Sequence, residues 1–174
     1  MSIKFWNTAS RAADPEALAS LQAAGLSPLC ARVLSARGIR NLEEVQSLFG
    51  GKDTLFDPFL LRDMDRAVQR IRLALESGEL IVVYGDYDCD GVTSTALLYS
   101  YLEAVGANVI YYIPDREQEG YGLNTEAIDF LHEVRGIGLI ITVDNGVSAH
   151  EEIAHANRLG IDVVVTDHHQ PRET

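Results

Sequence analysis

The chain has 174 residues, of which 47% are hydrophobic and 23% are charged, a composition typical of a globular protein with its own core. Its formal net charge is −12, whereas a domain that binds nucleic acid through its own surface is usually basic. No apolar run approaches the length of a membrane span, and the N-terminus has no apolar core of a signal peptide.

Residues 1–79 are predicted to form a helical N-terminal segment, because they lack the alternation that strands show. Within it, residues 27–50 predict two short helices joined by a turn at Gly38, with Asn41 capping the second. A third predicted helix ends just before Gly78. Its apolar residues share one face at helical spacing and are interpreted as packing residues: Met64, Ala67, Val68, Ile71 and Leu75.

The pattern changes at Leu80, where a predicted α/β domain covering residues 80–174 begins. Four short apolar runs rich in β-branched residues are typical of strands covered on both faces, as in a parallel sheet. Helix-like segments separate these runs, so we predict a doubly wound parallel sheet of four or more strands in the order 2-1-3-4. The predicted strands are Leu80–Asp86, Asn108–Pro114, Leu139–Asp144 and Asp162–Asp167, and the predicted helices are Val92–Val105, Asn124–Val134 and Ser148–Leu159.

The first predicted strand runs into three aspartates at alternate positions, Asp86, Asp88 and Asp90. In extended backbone, residues two apart point to the same side, roughly 6 to 7 Å from one to the next. Three carboxylates in that arrangement repel one another unless a cation lies between them, which predicts a metal site. An EF-hand is excluded, because the twelfth position of such a loop is Leu97 rather than Glu and a strand precedes it. Helix capping by Asp90 or Thr93 would explain one aspartate but not three.

Further polar residues follow the third and fourth predicted strands. Residues 144–146 read as Asp-Asn-Gly, which is either a simple turn or part of the same site. Asp167, His168 and His169 end the fourth strand, and adjacent histidines in extended backbone would point to opposite sides, one ligating and the other contacting substrate. A pair of ordinary surface histidines is the alternative. Because parallel strands end along one edge, these groups should converge on a site that suits Mn²⁺, with Mg²⁺ or Zn²⁺ as competitors.

The loop after the second strand contains Arg116 and the sequence GYGLN at residues 120–124. It is either an ordinary connection between a strand and a helix or a loop that faces phosphate. In the second case Arg116 supplies a forked pair of hydrogen-bond donors, a geometry that matches phosphate oxygens.

The other reactive side chains are interpreted as structural. Cys30 and Cys89 have neither a disulfide-framework nor a metal-binding spacing, which favours a reducing, cytoplasmic location. Cys89 lies between two of the aspartates, so its side chain should face away from them into the core. Three histidines on predicted helices are expected to be solvated: His132, His150 and His155.

Four segments of the chain, in this order and spacing, resemble the DHH phosphoesterase superfamily and, within it, the RecJ-type exonucleases: DYDCDG, IPDREQEGYGLN, TVDNGVSAHEE and TDHHQP. The resemblance covers roughly residues 25–174, including the helical lead-in. It implies a two-metal phosphodiesterase that uses Mn²⁺ or Mg²⁺. Such an enzyme would cut single-stranded DNA from the 5′ end and release 5′-mononucleotides during DNA repair and recombination.

The resemblance also implies roles for individual residues. Asp88 and Asp90 would each ligate one metal ion and Asp144 would bridge both, while Asp86 would ligate or orient a bound water. The implied metal ligands are Asp86, Asp88, Asp90, Asp144 and His168, and with His169 they form the implied catalytic set. The residues implied to contact substrate are Arg116, Asn145 and His169, and Asp167 is implied to support the histidines.

The chain departs from this family in its extent, since it ends at Thr174, five residues after His169. Family members continue with a further part of the sheet that supplies another Asp ligand, then a linker and a second domain. We therefore expect a truncated DHH domain, with single-stranded DNA held by the missing part and with single-strand-binding protein and repair helicases as candidate partners. The alternatives are a DHH-type hydrolase of oligonucleotides, cyclic dinucleotides or pyrophosphate, or a non-catalytic scaffold associated with replication.

Overall fold

The computed structural model describes residues 13–49 and 56–171. The chain divides into two compact units, Met1–Phe56 and Asp57–Thr174. The predicted boundary between residues 79 and 80 stays a prediction, and the second compact unit begins earlier, before the helix that precedes the first strand. Every helix in the described part of the chain is too short or too polar to pass through a lipid bilayer.

The described part of the first unit contains three helices. Asn41 Oδ1 accepts a hydrogen bond of 2.9 Å from the backbone N–H of Glu44, which confirms the predicted cap. Gly38 has φ +89°, a left-handed conformation that favours glycine, at the predicted turn. Leu21, Ala31 and Leu34 form its small buried core. The helices are α1 (Pro15–Ala23), α2 (Pro28–Ala36) and α3 (Leu42–Phe49).

The second unit contains a four-stranded parallel sheet in the order β2-β1-β3-β4, which confirms the predicted order. The strands are β1 (Ile81–Tyr84), β2 (Val109–Tyr112), β3 (Leu139–Val143) and β4 (Asp162–Thr166). The helices are a short 3₁₀ helix (Pro58–Leu60), α4 (Met64–Ser77), α5 (Cys89–Ala104), α6 (Thr125–Arg135) and α7 (His150–Arg158). Each strand ends before the residue that we predicted as its last, so the polar residues lie in the loops beyond the strands.

Alternate residues of β1 pack on opposite faces of the sheet. Ile81 and Val83 pack with α4 and α5 in one core cluster. Val82 and Tyr84 pack with α6 and α7 in the other. Both faces are therefore covered by helices, which confirms the predicted doubly wound arrangement. The residues of the predicted apolar stripe of α4 are half-buried. The one fully buried residue of this helix is Ala74, which was not part of the predicted stripe.

One of the three histidines expected to be solvated is paired instead. His155 Nε2 lies 2.6 Å from Asp129 Oδ1, and the contact joins α7 to α6. The prediction for His155 was wrong because these two helices pack side by side on the same face of the sheet. His150 is exposed, as expected, whereas His132 is half-buried and its Nδ1 is buried without a hydrogen-bond partner.

Arg70 on α4 ties that helix to the sheet. Its Nε lies 2.6 Å from Asp162 Oδ2 on β4, and its Nη1 lies 2.6 Å from Glu79 Oε2, just before β1. Its Nη2 also donates to the carbonyl of Gly138 at 3.2 Å. Burial alone would lower the pKa of Arg70, but the two carboxylates outweigh it and raise the pKa above its usual value. Three separate segments are thus joined through one planar guanidinium group.

We expect Arg70→Ala to lower the free energy of unfolding by about 1 to 2 kcal/mol, because it leaves Glu79 and Asp162 facing each other without a cation. Arg70→Lys should lose less, since it keeps the charge but not the forked geometry. Urea denaturation would measure both, with Arg72→Ala, an exposed arginine on the same helix, as the control. Equal losses in Arg70→Ala and Arg72→Ala would contradict this role.

Candidate metal centre

Three loops bring acidic and imidazole side chains together at the carboxyl edge of the sheet. Asp86 follows β1 and is 1% exposed. Asp144 follows β3 and is also buried. Residues 167–169 follow β4. The convergence that we expected from the strand ends is therefore present in the fold.

The centre of the site is formed by Asp144 and two histidines. His168 Nε2 lies 2.9 Å from Asp144 Oδ1, and His169 Nδ1 lies 3.9 Å from the same oxygen. One ligand atom from each of these three residues lies within 4.8 Å of the others. The two rings are only 4.7 Å apart. The prediction that they point to opposite sides was wrong, because β4 ends at Thr166 and the chain bends at His169.

Asp144 reaches this position through an unusual backbone conformation. Its φ is +63°, in the left-handed region that few residues other than glycine adopt. Its N–H donates to the carbonyl of Thr166 at 3.0 Å, and its carbonyl accepts from the hydroxyl of Tyr121 at 3.0 Å. Both peptide groups that flank this strained residue are thus held by neighbours. Backbone strain of this kind is common at functional sites.

Asn145 and Gly146 make the turn that follows Asp144. Asn145 is fully buried, and its side-chain amide donates to the carbonyls of Tyr84 and Val143, which joins the ends of β1 and β3. Gly146 has φ +104°, and a Cβ there would lie 2.9 Å from the Thr142 hydroxyl. The Asp-Asn-Gly segment is therefore both a turn and part of the site. The predicted contact between Asn145 and substrate stays a prediction.

The charges of the site shift the pKa values of its members in different directions. Burial, helped by the charge of Asp88, raises the pKa of Asp144 although both histidines oppose the rise. Burial would also raise the pKa of Asp167, but hydrogen bonds from the backbone of Val147 and of His169 outweigh it and lower the pKa. The hydrogen bond with Asp167 raises the pKa of His169. The site therefore holds one firmly ionised carboxylate and one whose charge is unfavourable without a cation.

Asp167 orients His169. Its Oδ1 lies 2.8 Å from His169 Nδ1 and accepts the backbone N–H of the same residue at 3.0 Å. An ionised carboxylate can only accept, so Nδ1 carries the proton and Nε2 of the neutral ring is left with a lone pair. The expectation that Asp167 supports the histidines agrees with this contact. Such a partner fixes both the tautomer and the ring orientation of a histidine.

The DYDCDG segment does not adopt the extended arrangement that we predicted. Helix α5 begins at Cys89, with Asp88 as its N-cap, and Asp88 Oδ1 accepts the N–H of Gly91 at 2.9 Å. The cap is thus Asp88 and neither of the two residues, Asp90 and Thr93, that the alternative to a metal site had named. Cys89 is exposed, so its predicted place in the core was also wrong. Alternation applies only to extended backbone, and here the chain turns helical.

This early helix start gives the three aspartates different environments. Asp86 is buried, whereas Asp88 and Asp90 are exposed at the start of α5. Gly91 permits the close packing, because a Cβ there would lie 2.5 Å from the carbonyl oxygen of Asp86. Among the described residues, the three-residue cluster at Asp144 does not include these aspartates. Asp88 is nevertheless near enough for its charge to act on Asp144.

A chain of aromatic contacts leads from the histidines to Arg116. The guanidinium carbon of Arg116 lies 5.2 Å from the centre of the Tyr87 ring. Tyr87 meets Tyr121 edge-on at 6.4 Å, and Tyr121 meets His169 in the same way at 6.0 Å. Sequence reasoning missed Tyr121. The available signal was a tyrosine flanked by two glycines in a loop at the edge that binds ligands.

Partial burial, together with the charges of surrounding aspartates, raises the pKa of Tyr121 to about 12. Its hydroxyl therefore keeps its proton at neutral pH. The Tyr121 side chain also lines a cavity of about 510 Å³, together with Val147, Glu152, Asp167 and His169. This volume lies in the range of small-ligand sites.

Several buried oxygens at this edge fit a divalent cation. Among the described residues, one oxygen each of Asp86, Asp144 and Asn145 is buried without a hydrogen-bond partner. Asp144 Oδ1 is one of them, since its close approach to His168 does not have hydrogen-bond geometry. Unpaired buried oxygens are costly unless a cation or water satisfies them. Carboxylates with an imidazole are a ligand set that suits Mn²⁺ and Mg²⁺.

Comparison with protein families gives a match at residues 80–174 to the DHH family, N-terminal domain. Among curated proteins, the single-stranded-DNA-specific exonuclease RecJ of Bacillus subtilis is 45% identical over 147 residues, which cover 84% of this chain and 19% of that protein. RecJ of Escherichia coli is 41% identical over 152 residues, which cover 87% of this chain and 26% of that protein. The chain thus spans about a fifth to a quarter of the length of these relatives.

Comparison with solved structures also gives matches to RecJ. A crystal structure of exonuclease RecJ bound to manganese matches with a TM-score of 0.61 and 41% identity, covering 66% of this chain and 29% of that one. The structure of RecJ from Thermus thermophilus in complex with Mn²⁺ matches with a TM-score of 0.63 and 32% identity, covering 91% of this chain and 21% of that one.

Proposed function

This chain belongs to the DHH family, and on that basis we propose that it forms the metal-binding part of an exonuclease that degrades single-stranded DNA from the 5′ end. The observation that carries the proposal is the cluster of Asp144, His168 and His169 at the carboxyl edge of the sheet. The single-stranded-DNA-specific exonucleases that resemble this chain are several times longer than the chain. The activity is therefore proposed for the whole protein that contains these residues.

The proposed metal ions are Mn²⁺ or Mg²⁺, and the solved RecJ structures that resemble this chain hold manganese. The unpaired buried oxygens of Asp86 and Asp144 support this choice. The raised pKa of Asp144 supports it too, because a cation would offset both its burial and the charge of Asp88. Two such ions, when bound, lower the pKa of a water and neutralise the attacking and leaving oxygens. The proposed ligands are Asp86, Asp88, Asp90, Asp144 and His168.

The side chains around the ligands would bind and orient the substrate. Asp167 holds a proton on Nδ1 of His169, so Nε2 is the ring nitrogen left to face the phosphate. Because the same contact raises the pKa of the ring, Nε2 can also carry a proton and donate it there. Arg116 offers a forked donor for phosphate oxygens while its stacking on Tyr87 limits its motion. Release of 5′-mononucleotides would follow from repeated cleavage next to a 5′ end held by these groups.

Metal ions would also explain how an acidic chain meets a polyanion. The net charge is −12, so the surface as a whole repels DNA. Bound cations and Arg116 concentrate positive charge at the one place where a phosphate has to sit. The proposal extends to single-strand-binding protein and repair helicases as partners, and to the cytoplasm as the location.

The test is a nuclease assay with the whole protein on single strands labelled at the 5′ or the 3′ end, in Mn²⁺ and in Mg²⁺. We expect early release of label from the 5′ end as mononucleotide and loss of activity in Asp88→Ala. Asp65→Ala, an exposed aspartate on α4, is the matched control and should remain active. Degradation from the 3′ end, or preferential hydrolysis of cyclic dinucleotides or pyrophosphate, would reject the proposal in favour of another DHH-type hydrolase.

A further inference from the structure

On the premise of the proposed function, we propose that Tyr121 is a positioning residue: its hydroxyl holds Asp144 in the left-handed conformation that aims the carboxylate at the histidine pair. Tyr121 would act through Asp144 and would not itself bind the metal. The inference starts from the hydrogen bond of 3.0 Å between the Tyr121 hydroxyl and the backbone carbonyl of Asp144.

Asp144 needs such support because its conformation is unfavourable. A residue other than glycine at φ +63° is less stable than in a relaxed conformation. Strained residues persist where surrounding contacts determine them. Here the N–H of Asp144 is fixed by Thr166 on β4 and its carbonyl is fixed by Tyr121. Removal of either bond would let the peptide groups rotate and move the carboxylate away from the histidines.

The loop that carries Tyr121 is built to deliver this hydroxyl. Gly120 and Gly122 both have left-handed φ values, +81° and +79°, so the backbone on each side of the tyrosine turns sharply. The loop is also bonded to β1, because the buried hydroxyl of Tyr84 donates to the carbonyl of Gly122 at 3.2 Å. The side-chain amide of Asn124 donates to the same hydroxyl. These contacts fix the loop against β1, the strand that leads to Asp86.

The same hydroxyl lies beside the second histidine. Tyr121 Oη is 3.3 Å from His169 Nδ1, and its single proton is already directed to the carbonyl of Asp144. Toward His169 it can therefore only accept, and it shares the single Nδ1 proton with the shorter contact to Asp167. One hydroxyl thus touches the residue that is proposed to bridge the metals and the histidine that is proposed to face the phosphate. This explains why a half-exposed tyrosine keeps a defined place at the edge of the site.

Tyr121→Phe tests the proposal because it keeps the ring contacts and removes only the hydroxyl. We expect the Mn²⁺ affinity, measured by calorimetry, to fall about 10-fold, as is typical when a group that orients a metal ligand is lost. In the whole protein, kcat should fall while KM for the oligonucleotide stays within about twofold. Tyr101→Phe is the matched control, since Tyr101 is an exposed tyrosine near the end of α5. An unchanged Mn²⁺ affinity and kcat in Tyr121→Phe would overturn the proposal.

A measurement without metal or DNA separates this inference from the proposed function. Amide hydrogen exchange at Asp144, whose N–H is bonded to Thr166, should be at least about 10-fold faster in Tyr121→Phe than in the parent and in Tyr101→Phe. Faster exchange in a protein that cleaves no single-stranded DNA would support the positioning role while rejecting the exonuclease. Unchanged exchange in a protein that does cleave DNA would overturn the positioning role and leave the exonuclease standing.

Discussion

Asp144→Asn should abolish the stabilisation of the protein by Mn²⁺ and lower exonuclease activity by at least about 1000-fold. Asp144 is the carboxylate that lies within 4 Å of both histidines, and in the proposed site a neutral amide could not replace the anion that would bridge two cations. A metal that binds only the folded state stabilises it by about 2.7 kcal/mol at a concentration of 100 Kd. We expect the parent to show such a rise in melting temperature with Mn²⁺ and the variant to show none.

The same substitution should raise the melting temperature of the metal-free protein at neutral pH. The folded pKa of Asp144 lies above its unfolded value, so ionisation disfavours folding at every pH above that unfolded value. A neutral side chain of the same shape removes this penalty. A variant that is more stable but has lost metal binding and activity is the expected result when the native residue serves function at a cost in stability.

Asp65→Asn is the control for both measurements, because Asp65 is an exposed aspartate in the first turn of α4. It should leave the Mn²⁺ response and the activity within about twofold of the parent. A full Mn²⁺ response in Asp144→Asn would show that the metal binds without this carboxylate. A lower melting temperature of the metal-free variant would show that the contacts with the histidines outweigh the burial of its charge.

The sheet could be predicted from the sequence because its signal is the burial of the strands themselves. Runs such as residues 80–84 and 139–141 are apolar at every position, which only a strand covered on both faces requires. The carboxyl edge of the sheet then follows from topology, without knowledge of any side-chain contact. Asp144 and residues 167–169 were placed together on this argument alone.

The details of the site could not be predicted because they depend on where the backbone leaves the extended conformation. Alternation of Asp86, Asp88 and Asp90 requires extended backbone as far as Asp90, but α5 starts at Cys89 and packs against Asp86 through Gly91. This early helix start exposes Cys89 and makes Asp88 a cap. Tyr121 was missed for a related reason, since its contact with Asp144 joins two loops through a bond that no local pattern encodes.

The 174-residue chain should bind single-stranded DNA at least about 100-fold more weakly than a full-length relative such as RecJ of Bacillus subtilis. Its net charge of −12 opposes a polyanion at every distance, and binding without sequence preference comes chiefly from Lys and Arg that neutralise phosphates. With few phosphates neutralised, the dependence of log affinity on log salt should have a slope of about −1. Fluorescence anisotropy with a 5′-phosphorylated oligothymidine between about 50 and 200 mM salt would measure both quantities.

Weak binding should make the isolated chain a poor nuclease even in Mn²⁺. Asp144 and the histidines can supply ligands that polarise a phosphate, but the rate also depends on holding the scissile bond in line with the attacking water. A stacking platform and a basic groove usually hold a single strand in this way, and an acidic surface cannot replace a basic groove. Comparison of the isolated chain with the whole protein on the same 5′-labelled strand should show little or no digestion by the chain. Processive digestion by the chain, lost in Asp88→Ala, would mean instead that these residues supply both the chemistry and the hold on the strand.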